Sequence, residues 1–431
     1  MLEYISQTLS EAFPPEPKFT EKNVEEQTGK VFFVTGGTSG IGLELVRILF
    51  WRGATVHVGT RSLSNFDKAV RDVQGTVPED GVRGQLMFVR MDLSDLDSVL
   101  AAGKSLAARL TKLDAVWYNA AVMGYDSSPT TVQGHELHWG TNVIGHFLLN
   151  KILLPLLQST VEAEGEARAI WVASDANLVS PKPDGIQWDD VHFVKRKGGQ
   201  LEKYGQSKSG AIILAYEMSQ RYPKVTSVAL NPGHLKTNLQ NNRPTWVKKL
   251  GNAVSFEPKY GAYTELFAGF SPAVKERNGG YIIPWGRFGR PRDSILEGYK
   301  MNRTGPKLWK MLEKDVAEYD AAVAPVAKPA PVAVEAPAAA EPVAAPVAEP
   351  VAAPVAEPVA EPVAEPVAET VAEPAAEPVA APAAEPAAEP VPEAAPVEAA
   401  VEAAVETKEA VPEAVSEAAP AVPEAVPEAK E

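Results

Sequence analysis

The sequence predicts an α/β protein built on a doubly wound parallel sheet, and three observations carry that prediction. Short β-branched or aromatic runs alternate with helically spaced apolar stretches from Val31 to Ile283. The first run, Val31-Phe32-Phe33-Val34, breaks into Thr35-Gly36-Gly37-Thr38-Ser39-Gly40-Ile41-Gly42 before helical spacing resumes. From about Ala321 the composition collapses to Ala, Pro, Val and Glu with no aromatic residue, so the alternating pattern ends there.

Taken in order, residues 1–27 read as an irregular arm with Pro14, Pro15 and Pro17. The first strand and its glycine turn lead into a helix from Leu43 to Trp51. Ala54–Thr60 is a second strand, Phe66–Val73 a short helix and Gln85–Met91 a third strand. Ser94, with Asp97 three residues on, is expected to cap the next helix. Asp114–Asn119 forms a fourth strand, and a long helix is expected from near Thr131 to Leu157. A fifth strand (Ala169–Ser174), a helix (Tyr204–Tyr222) and a sixth strand (Val225–Leu230) follow. A helix around Tyr260–Phe270 and a seventh strand at Tyr281–Ile283 complete a sheet of about seven strands. Residues 28–320 are therefore the folded domain, and 321–431 a low-complexity tail.

Charge divides along the same line. The tail holds 21 acidic and 3 basic residues of the chain's 56 and 41, so residues 1–320 carry a net of +3 although the whole is −15. No basic cluster with interleaved aromatics occurs, so no nucleic-acid partner is expected. The absence of cysteine excludes disulfides and cysteine-based metal sites. Met1–Lys30 lacks the apolar core of a signal peptide, and no run of 18 uncharged apolar residues suggests a membrane span. A cytoplasmic protein is the expectation.

Ligands of such a sheet bind beyond the carboxyl ends of its strands, so the residues just after strands matter most. At the glycine turn, the free amides and dipole of a helix N-terminus favour a pyrophosphate. Gly36 permits the tight turn, Gly40 the approach of the phosphates, and Gly42 the packing of helix on strand. The second strand ends in Thr60-Arg61-Ser62 with no acid before Asp67. Arg61 can grip the extra phosphate of NADP and Ser62 can add a hydroxyl, where an acid would select NAD. Tyr204 and Lys208 are four apart on one helical face, so an ammonium can lower the phenol's pKa from its ordinary ~10 toward the working range. Ser174 ends the fifth strand, where its hydroxyl can hold a substrate oxygen.

The set Thr35-Gly36-x-x-x-Gly40-Ile41-Gly42, Asn119-Ala120-Ala121, Ser174, Tyr204-x-x-x-Lys208 and Asn231-Pro232-Gly233 resembles, in that order, the short-chain dehydrogenases/reductases. Asn119–Met123 followed by Asn142-Val143-Ile144-Gly145-His146-Phe147 is most similar to the retinol-dehydrogenase-like branch. Two departures stand out: Ala120 and Ala121 where the family usually has glycine, and a Pro- and Asp-rich insertion between Ser174 and Tyr204.

The resemblance implies a Rossmann-type fold and a catalytic tetrad. Tyr204 is the acid or base, Lys208 its modulator and ribose anchor, Ser174 the group positioning the substrate oxygen, and Asn142 the holder of a relay water. It implies an NADP(H) site lined by Thr35, Gly36, Thr38, Ser39, Gly40, Ile41 and Gly42, with Arg61 and Ser62. Asp92 and Leu93, Asn119 and Ala120, then Pro232, Gly233 and Thr237 complete that site. The partner is a small-molecule carbonyl or alcohol, and the family suggests a homodimer formed through the long apolar helix. The competing class is a catalytically silent nucleotide-binding regulator or redox sensor whose tail recruits partners.

Other features have plainer accounts. His135 and His138 lack a third ligand at metal spacing and are expected on the surface. Trp139, Phe147, Leu148, Leu149, Leu153 and Leu156 fit a core or subunit face. Residues 177–203 and 234–256 are expected to wall the substrate pocket, with Trp188, Phe193, Trp246 and Phe256 making it apolar. Proline every few residues in the tail forbids helix and favours polyproline II or disorder, Val397–Ala410 excepted.

Overall fold

The structure is a computed structural model, and it describes residues 7, 9–124, 129–236 and 255–323. Eight strands form one sheet: β1 (Val31–Thr35), β2 (Thr55–Thr60), β3 (Gln85–Arg90), β4 (Ala115–Tyr118), β5 (Arg168–Val172), β6 (Thr226–Leu230), β7 (Tyr281–Ile283) and β8 (Arg287–Gly289). Their order is β3-β2-β1-β4-β5-β6-β7-β8, parallel throughout except that β8 runs antiparallel to β7. The expected seven strands are present. The eighth is three residues long and only half-buried, too short to show an alternating pattern in sequence.

Burial on both faces explains the apolar runs. In β1, Phe32 and Val34 join the cluster on one side of the sheet while Phe33 joins the other. The first side is covered by α1 (Gly40–Trp51), α2 (Leu63–Gln74) and a later helix, Pro258–Phe270. The second is covered by α3 (Leu96–Arg109), α4 (Leu137–Glu164) and α5 (Gln200–Arg221). In chain order the Pro258–Phe270 helix is α6, followed by α7 (Asp293–Lys300) and α8 (Thr304–Asp315). Ile295, Tyr299, Leu308, Trp309 and Leu312 bring α7 and α8 onto the second side.

Several boundaries differ from expectation for local reasons. Asp95, not Ser94, caps α3 by accepting from the Asp97 amide, while Ser94 is bonded back to Asp92. The long helix starts at Leu137 rather than near Thr131. Gly134, at φ +82°, turns the chain first, and the Glu136 carboxylate then caps by accepting from the Trp139 amide. α4 contains a π turn at Gly140–Ile144. This helix is long and apolar enough to cross a membrane, but 89% of its apolar window is buried inside the protein. Trp139, Phe147, Leu148, Leu149, Leu153 and Leu156 are all core residues. The tail from residue 324, including Val397–Ala410, lies outside the described residues.

Candidate active site

The order reverses between β1 and β4, and beyond their carboxyl ends lies a cleft of about 670 Å³. Its floor is the glycine turn: Gly36, Thr38, Ser39, Gly40, Ile41 and Gly42 all line it. Gly36 sits at φ +70°, and a Cβ there would stand 3.0 Å from that of Ala120. A Cβ on Gly42 would meet Asn119 Nδ2 at 2.5 Å and the Gly36 carbonyl at 2.7 Å. The Ser39 side chain makes no cap bond to the first turn of α1, and that turn lines the cleft as an anion site.

Thr35 is a correction to the expected lining. It is fully buried beneath the floor, where its hydroxyl accepts from the Ala120 amide and meets His146 Nε2 at 3.1 Å. Burial pushes His146 down to about 3, with Lys208 also disfavouring a charge there, so the ring is neutral. Its Nδ1 lies 3.1 Å from the Asn142 carbonyl, which can only accept; Nδ1 therefore carries the proton and Nε2 takes the Thr35 hydroxyl. Asn119 completes the lock by donating to the Thr35 carbonyl at 2.8 Å.

At the β2–β3 end the cleft is lined by Thr60, Arg61, Ser62, Asn65, Asp92, Leu93 and Ser94. Arg61 is exposed, and its guanidinium makes no hydrogen bond or ion pair among the described residues. Ser62 also has local work, since it caps α2 through the Asn65 amide. One oxygen of Asp92 is taken by the Ser94 amide and hydroxyl, which fixes the turn that follows β3.

The other end is assembled by α4, β5 and α5. Asn142 sits in the π turn, its side chain accepting from the Val122 amide at 2.9 Å and donating to the Val122 carbonyl and to Ser207 Oγ. That side chain thus ties the 120–124 loop to α5. Lys208 is 3% exposed, its ammonium donates to the Val172 carbonyl at 2.8 Å, and it stands 5.4 Å from the centre of the Tyr204 ring. Burial pushes this amine down to about 7.

Ser174 follows β5 and caps the turn Asp175–Val179, accepting from the Ala176 amide and donating to Asp175 at 2.9 Å. Gly205 draws this turn against α5, since a Cβ there would lie 2.4 Å from the Ala176 carbonyl. That close approach packs the turn capped by Ser174 against α5 at the residue after Tyr204, despite the long insertion between the two.

Beyond β6, Asn231 Oδ1 accepts from the Gly233 amide, with Gly233 at φ +92° against Trp285. Thr237 and Trp246 lie outside the described residues. Of the rings expected to line a pocket, Phe256 packs with Tyr260 and Trp285 beside this turn. Trp188 and Phe193 do not join it. Trp188 packs on the core under Lys307 and donates to Asp184, while Phe193 is buried with Arg196 and Lys203 over its ring.

Of the two expected surface histidines, His138 is placed differently: it is 1% exposed, paired with Glu136 and edge-on to Tyr204 at 6.2 Å. His135 is half-exposed, its ring tilted against that of His192. The Asp175 carboxylate beside Ser174 pairs with His234, a contact that only the fold creates across 59 positions.

The fold and the cleft define a dinucleotide-binding α/β protein. Comparison with known proteins narrows this: the sequence model described as short chain dehydrogenase matches residues 30–183. A short-chain dehydrogenase/reductase of Phomopsis amygdali is 35% identical over 326 residues, covering 72% of this chain and 96% of that protein. One from Emericella nidulans is 34% identical over 313 residues, covering 70% and 97%. A solved structure of an uncharacterized protein from Mycobacterium paratuberculosis aligns with a TM-score of 0.51 at 25% identity, covering 68% of this chain and 97% of that one. The chain belongs to the short-chain dehydrogenase/reductase family. It is therefore an oxidoreductase whose fold takes a nicotinamide cofactor.

Proposed function

We propose that the protein is an NADP(H)-dependent oxidoreductase that interconverts a carbonyl and an alcohol on an apolar small molecule, with Tyr204 as the general acid or base. The observation that carries this reading is the buried Lys208 ammonium beside the Tyr204 ring, anchored to the strand end that precedes Ser174. The residues fit a dinucleotide: an uncapped helix N-terminus for pyrophosphate, glycines whose Cβ atoms would fill the floor, and an exposed arginine at the adenosine end. When bound, the cofactor supplies the hydride that reaches the carbonyl carbon.

The chain supplies the proton and the orientation. In reduction the Tyr204 hydroxyl gives its proton to the carbonyl oxygen as the C–H bond forms, yielding the alcohol and a phenolate. The Lys208 ammonium stabilises that phenolate. Ser174 holds the same oxygen when its hydroxyl proton turns from the Asp175 carboxylate to the substrate, and in oxidation the proton runs back to Tyr204. Selection of NADP(H) rests on Arg61, and the apolar substrate on Phe256, Tyr260 and Trp285 beside the Pro232–Gly233 turn. A cytoplasmic setting accords with the cysteine-free composition.

Tyr204→Phe tests the assignment, because it removes the proton donor and almost no volume. Turnover of aldehydes and ketones, followed by NADPH absorbance, should fall by at least ~10²–10⁴-fold with NADPH affinity nearly unchanged. A variant keeping most of its kcat would show that another group is the acid.

A further inference from the structure

The segment before β1 is the least expected part of the site. It lies outside the matched family region, which begins at residue 30. Residues 9–12 form a helical turn, and it is seated at the nicotinamide end of the sheet by three sets of bonds. Gln7 exchanges hydrogen bonds with the backbone of Arg290. The Arg287 guanidinium donates to the Ser10 carbonyl at 2.8 Å and to its hydroxyl. Glu11, 9% exposed, accepts from Asn231 Nδ2 at 2.7 Å and from Gln7 Nε2 at 2.6 Å.

We infer that Glu11 is a positioning residue for the cofactor's nicotinamide half, acting through Asn231 on the Pro232–Gly233 turn. The argument is one of donors and acceptors. The Asn231 amide has one oxygen and one NH2, and its side chain is 1% exposed, so its orientation is decided by protein groups. A carboxylate only accepts, so Glu11 holds the NH2 toward itself and leaves Oδ1 facing the Gly233 amide, which donates to it at 3.0 Å. That bond holds Gly233 at φ +92°, a conformation glycine takes freely, where Trp285 leaves no room for a Cβ. Without Glu11, the amide is free to turn its NH2 toward the Gly233 N–H, donor against donor.

Burial favours the protonated form of Glu11, opposed by its bonds to Asn231 and Gln7; Asp175 adds to the rise and Arg287 opposes it. A desolvated carboxylate near Asp175 is unfavourable by itself, and its retention there is accounted for by what it holds in place. This inference rests on the proposed function only in taking the Pro232–Gly233 turn as the nicotinamide wall.

The test compares full-length parent, Glu11→Ala, Glu11→Gln and Asn231→Ala by binding alone, using NADPH and 2′,5′-ADP, which lacks the nicotinamide half. Glu11→Ala should weaken NADPH about tenfold, the scale of one charge-assisted hydrogen bond, and leave 2′,5′-ADP affinity unchanged. Asn231→Ala should show the same split, the double variant should lose no more than either single change, and Glu11→Gln, which can still accept, should recover most of the affinity. Unchanged NADPH affinity in Glu11→Ala, or equal weakening of both ligands, would overturn the inference. Because no turnover is measured, a wrong assignment of Tyr204 leaves this result standing. If the parent takes NADH instead of NADPH, it is the Arg61 reading that fails, and the same comparison is made with NADH against ADP-ribose.

Discussion

Lys208→Met should make the protein more stable at neutral pH while abolishing its chemistry. The Lys208 amine is buried and held at about 7, against an ordinary lysine near ~10.4. Between those two values the unfolded chain binds a proton that the folded chain has released, so stability rises with pH across that window. At ~1.4 kcal/mol per tenfold, accommodating the amine costs about 4 kcal/mol at pH 7, about 2 at pH 9 and under ~1 at pH 10. Methionine removes that cost and fills a similar volume, but the Val172 carbonyl loses its 2.8 Å donor, a loss of about 1–2 kcal/mol. The balance is a gain of about 2 kcal/mol at pH 7 that vanishes near pH 9 and reverses by pH 10. For a domain of this size it amounts to a rise of roughly 4 °C in Tm at pH 7. Urea titrations of parent and variant from pH 7 to 10, without cofactor, read it directly. A stability difference that stays constant with pH would refute the argument, since it would show that Lys208 does not change its protonation on folding.

Two further substitutions probe charge elsewhere. Arg61→Asp removes a phosphate partner and adds a like charge, so NADPH use should weaken tenfold to a hundredfold relative to NADH; an unchanged ratio of kcat/KM values would show that another residue reads the phosphate. Glu265 in α6 is fully buried with neither carboxylate oxygen bonded among the described residues, and burial pushes it up to about 8. From ~4.3 to 8 the folded chain keeps a proton the unfolded one has lost, so this group lowers stability as pH rises. Glu265→Gln should therefore match the parent at pH 4 and exceed it by about 5 kcal/mol at pH 8. Parallel stability curves for the two proteins would sink that account.

The sequence by itself determined the sheet and the family, and it pointed to most of the glycine-turn and strand-end residues that line the cleft. Buried parallel strands must be apolar on both faces, so Val31–Val34, Ala169–Val172 and Thr226–Leu230 were visible as runs, and a helix must repeat near 3.6, which marked α1 and α5. The glycine turn and the Tyr204/Lys208 pair could be read because their partners lie within a few positions along the chain. What was not legible is whatever depends on distant groups sharing one hydrogen bond. Thr35 looked like a cofactor contact until His146 and Ala120 claimed its hydroxyl beneath the floor. His138 looked like a surface residue until Glu136 and Tyr204 enclosed it. The pairing of Asp175 with His234 spans 59 positions and that of Glu11 with Asn231 spans 220, and no local pattern announces either. Periodicity records which face of an element leaves water. Which donor meets which acceptor is settled only when the layers pack, because a buried polar group must find its partner wherever the chain happens to bring one.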